Sequence, residues 1–558
     1  MRSSPSAATP LRARPPMLPR LADHIVFNAR HRATREVLVS GEERVTWGEL
    51  PDRLDAIADA LVSHGVTRGS RIAVWAAPSV ESLLCYLACV RIGATFVGVN
   101  PKYVEAEVLH VVDDSTPTVF LAATQEGCAD VAGVVDAVLA RRPGTTVALF
   151  TPKARGGAGL DDFVPADLRH QEAVQALVAS VQPDDAATIV YTSGTTGVPK
   201  GAILTQKGLA YNYWHTYDQR YMDWLKVPAY FTINHLAGLG DVASLTVVAG
   251  GTMYPLEDFD APAILSLIER EKLTYLPGLV THFQLMFRDV DLSEHDLSSL
   301  EFIWWGGAAI PDKLLRLLKS LAPRAGTDFG QTETMGPLIF TPTDATDEQC
   351  QATIGRPSPI FPVRLADPDG NVVPVGTPGE IQATGVGVSP GYWGRAEATR
   401  DLYTQDGWLR TGDLAVQRPD GFLAMVGRAK EMFKSGGYNL YPMEIEAVLD
   451  AHPAVEMSVV VPAPDELYQE VGVAYLVLAP GRESTTEEEL RDHLRGQLAN
   501  YKVPKRFVLL ERFPQTPVGK VDKERLRRHA AGADSVTLDE VAGRSPDEGR
   551  LTDRPAGR

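Results

Sequence analysis

From about residue 70 to 310 the chain alternates short apolar runs with helical stretches. "RIAVWAA" is followed by "VESLLCYLACVRIG", then by "ATFVGVN"; "TVFLAA" precedes a longer region that ends in "ATIVYT". Farther on come "YFTI", "LTYLPG" and "FIWWGG", each followed by an amphipathic segment. Apolar runs of this length bounded by helical periodicity predict an α/β fold with largely parallel sheets. Sheets of this kind bind ligands at the carboxyl ends of their strands. Between 354 and 427 the rhythm changes: "VRLADPDGNVVPVGTPGEIQAT" places Asp-Gly and Pro-Gly turns between short alternating strands, the pattern of antiparallel hairpins. After 428 a helix ("MEIEAVLDAHP"), two strands ("VEMSVVV", "GVAYLVLA"), a helix ("TEEELRDHLRGQL") and a strand ("RFVLLE") make an α+β module of about 100 residues.

Length and composition narrow the classes. At 558 residues the chain exceeds one core. The division expected is a disordered leader over 1–20, an N-terminal domain over 21–427, a C-terminal domain over 428–530 and a disordered tail over 531–558. A hydrophobic content of 44% with 22% charged residues is that of a globular protein. The formal charge of −17 argues against a nucleic-acid partner. Cys85, Cys89, Cys128 and Cys350 form no metal-ligand pairing, and Cys85 and Cys89 share one face of an apolar helix, which predicts buried core. Few, scattered cysteines suit a reducing cytoplasm. No apolar run reaches the ~18 residues of a spanning helix, and the basic, Pro-rich start lacks a signal-peptide core.

The stretch "YTSGTTGVPKG", Tyr191 to Gly201, follows the apolar run "ATIVY". Glycines after a strand let several backbone N–H groups converge on one anion. Thr192, Ser193, Thr195 and Thr196 add hydroxyls around Gly194, and Lys200 adds a point charge. These parts suit a polyphosphate. The order is not that of the P-loop, because Pro199 precedes Lys200 and Gly201 follows it.

Downstream lie "WWGGAAIP" (304–311), "DFGQTET" (328–334), "WLRTGD" (408–413), "GRAKEMFKSGGYNLYPMEIE" (427–446) and "TPVGKVDK" (516–523). With "YTSGTTGVPKG", in this order and at this spacing, the chain resembles the adenylate-forming superfamily of acyl-CoA synthetases, peptide-synthetase adenylation domains and luciferases, over roughly residues 20–528. The resemblance implies a large N-terminal domain of mixed, largely parallel sheets with a small antiparallel β subdomain, and a small mobile α+β C-terminal domain. It implies two half-reactions: a carboxylate attacks the α-phosphate of ATP, releasing pyrophosphate, and a thiol, most often that of coenzyme A, then displaces AMP.

The same resemblance assigns roles. The 191–201 loop would hold the β- and γ-phosphates. Glu333 would bridge Mg2+, and Thr332 would contact the α-phosphate. Gly307, Ala308 and Ala309 would wall the adenine slot, with Phe329 stacking on the base where many relatives carry Tyr, and Asp328 and Gly330 beside it would belong to the same nucleotide site. Asp413 would accept from the ribose hydroxyls, with Arg428 near the same sugar. Lys520 would bridge the carboxylate and the α-phosphate. Lys430 stands at the hinge position, and Gly437 would let pantetheine pass close to the backbone. His235 falls where relatives carry an aromatic-His pair near the acyl site; here Asn234 precedes it.

The acyl pocket is expected around 234–240, 305–308, 330 and 335–338, mostly apolar and small. Ala237, Gly238 and Gly240 would leave room for a long chain or a bulky ring system. The function expected is an acyl-CoA ligase for a hydrophobic carboxylic acid, whether fatty, aryl or polycyclic. The alternatives are an enzyme running one half-reaction, one loading a carrier protein, or a nucleotide-binding regulator without turnover. A homodimer is compatible with the sequence. "GVSPG" (387–391) fits the nucleophile-elbow pattern G-x-S-x-G, but Pro390 after the serine supplies no N–H for an oxyanion hole, so the stretch is expected to be a structural loop.

Overall fold

The computed structural model describes residues 14–124, 131–164, 167–192, 199–222, 224–288, 290–307, 310–435, 438–482, 484–515 and 521–532. The chain divides into two compact units. One comprises Met1–Arg364, Gln382–Thr411 and Asp420–Leu423; the other comprises Leu365–Ile381, Gly412–Pro419 and Ala424–Arg558.

In the first unit the four strands predicted from apolar runs join two that were not, Thr146–Phe150 and Lys200–Thr205, in a six-stranded sheet in the order Thr146–Phe150, Val119–Ala123, Arg71–Trp75, Thr95–Val99, Ala186–Thr192, Lys200–Thr205. The first five run parallel, and the last is antiparallel to its neighbour. The helix Val80–Ile92 is apolar on every face between Ser82 and Arg91 near its ends, and every residue in it is buried. Its start is fixed by Ser79, whose hydroxyl accepts from Ser82 N–H at 3.2 Å, and its end by Gly93 at φ +71°. Cys85 and Cys89 lie inside this helix, buried as expected; Cys128 lies outside the described residues.

A second sheet runs Tyr275–Leu279, Phe302–Gly306, Arg324–Gln331, Gly336–Phe340, Arg356–Pro357. Its first three strands are parallel and the rest antiparallel. A third holds Glu43–Thr46, Glu36–Ser40, Thr252–Pro255 and Lys226–Ala229. Here one expectation fails. "YFTI" is not a strand; the strand is Lys226–Ala229 just before it, parallel to Thr252–Pro255. The apolar residues of "YFTI" serve as anchors at the strand's exit. Tyr230 is buried and its hydroxyl donates to the Pro277 carbonyl, and the backbone then turns, with His235 N–H donating to Thr232 O at 3.2 Å.

Residues 14–20, assigned to the leader from sequence, are held in place. Trp214 Nε1 donates to Pro15 O at 2.9 Å, and Arg20 caps the helix Leu21–His31 through Asp23. The strands Val363–Ala366, Pro378–Ala383, Leu409–Gln417 and Leu423–Arg428 form a four-stranded sheet in that order. The Asp-Gly turn anticipated there forms: Asp367 Oδ1 accepts from Asn371 N–H at 2.8 Å, and Gly370 takes φ +88°.

In the second unit, Tyr438–Leu440, Phe433–Ser435, Gln469–Leu478 and Val455–Asp465 form an antiparallel sheet, with Arg506–Leu509 parallel to Gln469–Leu478. "VEMSVVV" is apolar at consecutive positions because both faces are covered. Val460 packs with Ile445, Leu449, Leu490 and Leu494 on one side; Val459 and Val461 pack with Leu526 and Ala530 on the other. Lys523, on the helix Lys523–Ala530, ties two carboxylates of the unit, Glu431 at 2.9 Å and Glu446 at 3.8 Å.

Gly98 →Ala tests the packing of the first unit. A Cβ there would stand 2.1 Å from the Ile233 carbonyl oxygen, so backbone must shift; the variant is expected to lose about 1–3 kcal/mol in urea denaturation. The second unit yields a pH prediction. Burial pushes Glu446 up to about 7, opposed by Lys523 and by the Val460 N–H. The folded state therefore binds this proton more tightly than the unfolded chain. Stability from this group is complete below the ordinary carboxylate value and is lost as pH rises through about 7. The loss is on the order of a few kcal/mol. Glu446→Gln should flatten that part of the pH–stability profile; an unchanged slope between pH ~4.5 and ~7 would contradict the assignment.

Candidate active site

The phosphate-loop candidate connects two antiparallel strands, with Thr192 paired to Lys200 in register. It is therefore the tip of a hairpin. Ser193, Gly194, Thr195 and Thr196 lie outside the described residues, but both flanks are described. Tyr191 donates its hydroxyl to Asp114 at 2.9 Å, and the Pro199 carbonyl is 3.1 Å from His110 Nε2. His110 and Asp114 are four apart on the helix Glu105–Ser115 and share one face. One helix thus holds both ends of the hairpin tip.

A loop from far down the chain packs along the second strand. Ile203 N–H donates to Gly391 O at 3.0 Å, and Trp393 N–H to Gly201 O at 2.8 Å. This is "GVSPGYW". Ser389 is fully buried; its hydroxyl donates to Ile203 O at 2.8 Å and accepts from Gly391 N–H at 3.0 Å. It is a loop brace, as the sequence suggested, and not a nucleophile.

The loop delivers Tyr392, a residue the sequence reading did not single out. Its hydroxyl donates to Glu333 Oε1 at 2.6 Å, and its ring centroid lies 5.5 Å from Lys200 Nζ. Burial, the Glu333 charge and this hydrogen bond raise the phenol's pKa, so it stays a donor. Glu333 belongs to a short 3-10 turn, Thr332–Thr334, joining Arg324–Gln331 to Gly336–Phe340. Ser389 N–H donates to the Glu333 carbonyl at 2.8 Å, and Thr332 is buried. Three expected site residues, Thr192, Lys200 and Glu333, are thereby brought together around Tyr392.

Beside them stand the ends of two parallel strands, Phe302–Gly306 and Arg324–Gln331. Gly307 follows the first, exposed and at φ +89°. Gly330 is exposed on the second, where a Cβ would stand 2.3 Å from Gly336 O. Bare glycine backbone at adjacent carboxyl ends is what a flat base against the chain requires. Phe329, half-buried, lies between Gly330 and Asp328. Asp328 points away into the core, where its carboxylate pairs with Arg220. Ala308 and Ala309 lie outside the described residues.

His235 is half-buried in the turn before the π-helix Ala237–Ser244; its Nδ1 accepts from Ala237 N–H at 3.2 Å. The small residues after it do not make the room expected of them. A Cβ on Gly238 would stand 2.4 Å from Thr232 O, and one on Gly240 would stand 2.0 Å from the Tyr213 hydroxyl. These glycines are filled by backbone and by Tyr213, so they permit a tightly packed π turn and not an enlarged pocket.

In the second unit, Arg428 Nε donates to Asp413 Oδ1 at 2.8 Å; Asp413 is buried and Arg428 half-exposed. Lys430 is exposed in the turn after Leu423–Arg428. Gly437 and Lys520 lie outside the described residues.

The profile of AMP-binding enzymes matches residues 26–393, and that of the AMP-binding enzyme C-terminal domain matches residues 444–520. The chain belongs to the AMP-binding enzyme family, within the adenylate-forming superfamily, as an AMP-forming acyl-CoA synthetase. It is 35% identical to a feruloyl-CoA synthase of Amycolatopsis sp, across 88% of this chain and 94% of that protein. It is 32% identical to the 3-[(3aS,4S,7aS)-7a-methyl-1,5-dioxo-octahydro-1H-inden-4-yl]propanoyl:CoA ligase of Rhodococcus jostii (strain RHA1), across 90% of this chain and 98% of that one. Among solved structures it resembles ATP-bound MatB from Rhodopseudomonas palustris, at a TM-score of 0.79, 28% identity and coverage of 91% and 98%. It also resembles the amide bond synthetase McbA from Marinactinospora thermotolerans, at 0.79, 26% identity and coverage of 91% and 99%. Such enzymes use ATP and CoA. Among the described residues no helix is long and apolar enough to cross a membrane.

Tyr392→Phe removes one donor from a carboxylate without changing ring packing. A hydrogen bond to a charged group is worth about 1.5–3 kcal/mol, so kcat/KM for ATP should fall roughly 10- to 100-fold. Transfer of a supplied acyl-adenylate to CoA should be spared. Equal loss in both steps would show that the phenol supports the fold and not the phosphate site.

Proposed function

We propose that this enzyme activates a ring-bearing hydrophobic carboxylic acid as its acyl-adenylate and passes the acyl group to CoA. The observation that carries the reading is the Lys200–Tyr392–Glu333 arrangement, a cation and a carboxylate held on one aromatic ring, with Glu333 in the turn that directly follows the strand bearing the exposed Gly330. Relatives whose names state feruloyl, indoleacetate and a bicyclic dione propanoate support a ring acid over a straight chain.

In the first step a carboxylate oxygen bonds to the α-phosphorus and the bond to pyrophosphate breaks. The hairpin from Thr192 to Lys200 binds the β- and γ-phosphates, Lys200 offsetting their charge. Gly307 and Phe329 bracket adenine, and Thr332 orients the α-phosphate; the family resemblance assigns the ribose to Asp413 and Arg428. Glu333, steadied by Tyr392, is the residue fit to hold Mg2+, which would neutralise charge on the phosphates. Lys520 places its ammonium between the two anions as they approach, an electrostatic contribution that is often the largest in such steps. In the second step the thiol sulfur bonds to the carbonyl carbon and AMP departs. Lys430 serves as hinge, and Gly437 borders the thiol path. His235, held by Ala237 N–H, faces the acyl side.

A second reading has a specific basis: the likeness to an amide bond synthetase leaves an amine as a rival acceptor to a thiol. The test is incubation with ATP, Mg2+ and a panel of acids (ferulate, indoleacetate, a polycyclic propanoate, octanoate) with CoA, with an amine, or with neither. Pyrophosphate release with ring acids, and acyl-CoA only when CoA is present, is the expected result. Amide without thioester would replace the acceptor, and octanoate as the best acid would overturn the ring preference. Lys520→Ala should slow pyrophosphate release by about 10²–10³-fold, as loss of one preorganised charge does elsewhere. It should leave AMP binding intact.

A further inference from the structure

Arg220 closes the helix Gln206–Arg220, and its side chain is only 2% exposed. A buried guanidinium is costly unless its donors are met. Asp328 meets it in a hydrogen-bonded ion pair, and Tyr275 accepts from Nη1 at 2.5 Å. The Trp304 ring lies 5.3 Å from the guanidinium carbon. Asp241 stands 3.8 Å from Nη1, beyond hydrogen-bond distance, and its Oδ1 is buried with no hydrogen-bond partner. Each of these residues sits on an element that carries part of the site. Asp328 directly precedes Phe329; Trp304 is on the strand Phe302–Gly306, which Gly307 follows; Asp241 is on the π-helix that follows His235.

We propose that Arg220 is a positioning residue that couples the acid site to the nucleotide site through the chain Asp241–Arg220–Asp328, with the gap to Asp241 closing when the acid binds. The inference rests on the ligase reading above. A shift of about 1 Å converts the 3.8 Å contact into a hydrogen bond near 2.9 Å. The π-helix is the element suited to such a shift, since one wide turn is a local departure from regular helix and recurs at functional sites. The cost of leaving Asp241 without a hydrogen bond is consistent with a state that is completed by a ligand; burial pushes its carboxyl up to about 6, so the cluster tolerates it poorly as an unpaired anion. Closing the gap tightens Arg220 against Asp328 and fixes the neighbouring Phe329. By linkage, acid binding then strengthens nucleotide binding, and the reverse holds equally.

The test measures the dissociation constant of α,β-methylene-ATP by calorimetry, with and without the acid of highest turnover in the panel above, ferulate being tried first. In the wild-type enzyme the acid should tighten the nucleotide at least about fivefold, the lower end of site-to-site coupling. Asp241→Leu, which keeps the volume and loses the acceptor, should reduce that ratio below twofold. Asp241→Asn, which restores an acceptor oxygen, should restore it. A purely structural role would lower melting temperature in both variants and leave the ratio unchanged, and that result overturns the inference. Should Asp241→Leu fail to fold, Arg220→Lys keeps the charge, loses the planar fork and supplies the same readout. A wild-type enzyme that turns over acids without coupling sinks this inference alone. One that turns over no acid sinks the ligase reading, and this inference with it.

Discussion

The site depends on holding negative charge beside negative charge. In the proposed mechanism a nucleotide's phosphates, a substrate carboxylate and Glu333 all share one edge of a protein that itself carries a formal −17. The structure meets that constraint at Tyr392. Its phenol engages Glu333 at 2.6 Å and its face meets the Lys200 ammonium at 5.5 Å, so one aromatic side chain orders the anion and the cation of the site. The arrangement exists only because a loop near residue 390 pairs with the strand Lys200–Thr205. Ser389 braces that loop from inside, and Glu333's own carbonyl accepts from Ser389 N–H. Loosening any of these contacts would let the carboxylate drift from where a cation and phosphates converge.

The elements with strong periodicity were legible. Val80–Ile92 and four of the five parallel strands of the six-stranded sheet fall where apolar runs placed them, because full burial writes itself as continuous hydrophobicity; Thr146–Phe150, at the sheet's edge and mostly half-buried, carried no such signal. "YFTI" shows the limit of that signal: Tyr230 and Ile233 are apolar because they anchor a turn, and nothing in four residues distinguishes an anchor from a strand. Gly238 and Gly240 show another limit. Small residues signal either empty space or close packing, and here Thr232 and Tyr213 occupy the space.

The site was legible in its motifs and not in its supports. Lys200 and Glu333 stood in recognisable stretches. Tyr392 stood in a stretch noted only for being a false nucleophile elbow, and its role comes from strand pairing across some 190 residues, which local patterning does not encode. Arg220 was invisible for a like reason: an arginine ending a helix reads as a solvent-facing cation stabilised by the helix end. Its burial among Asp328, Asp241, Tyr275 and Trp304 follows from four elements converging on the helix end in space.

The central claim is that the substrate carboxylate itself attacks the α-phosphate. The most direct measurement uses acid labelled with oxygen-18 in its carboxylate, followed by mass spectrometry of the nucleotide product after complete conversion to thioester. An adenylate intermediate leaves one labelled oxygen on the phosphate of AMP. Label found in inorganic phosphate, or in no phosphate at all, would mean that the acid is activated by another route and that the Lys200–Tyr392–Glu333 site does different chemistry.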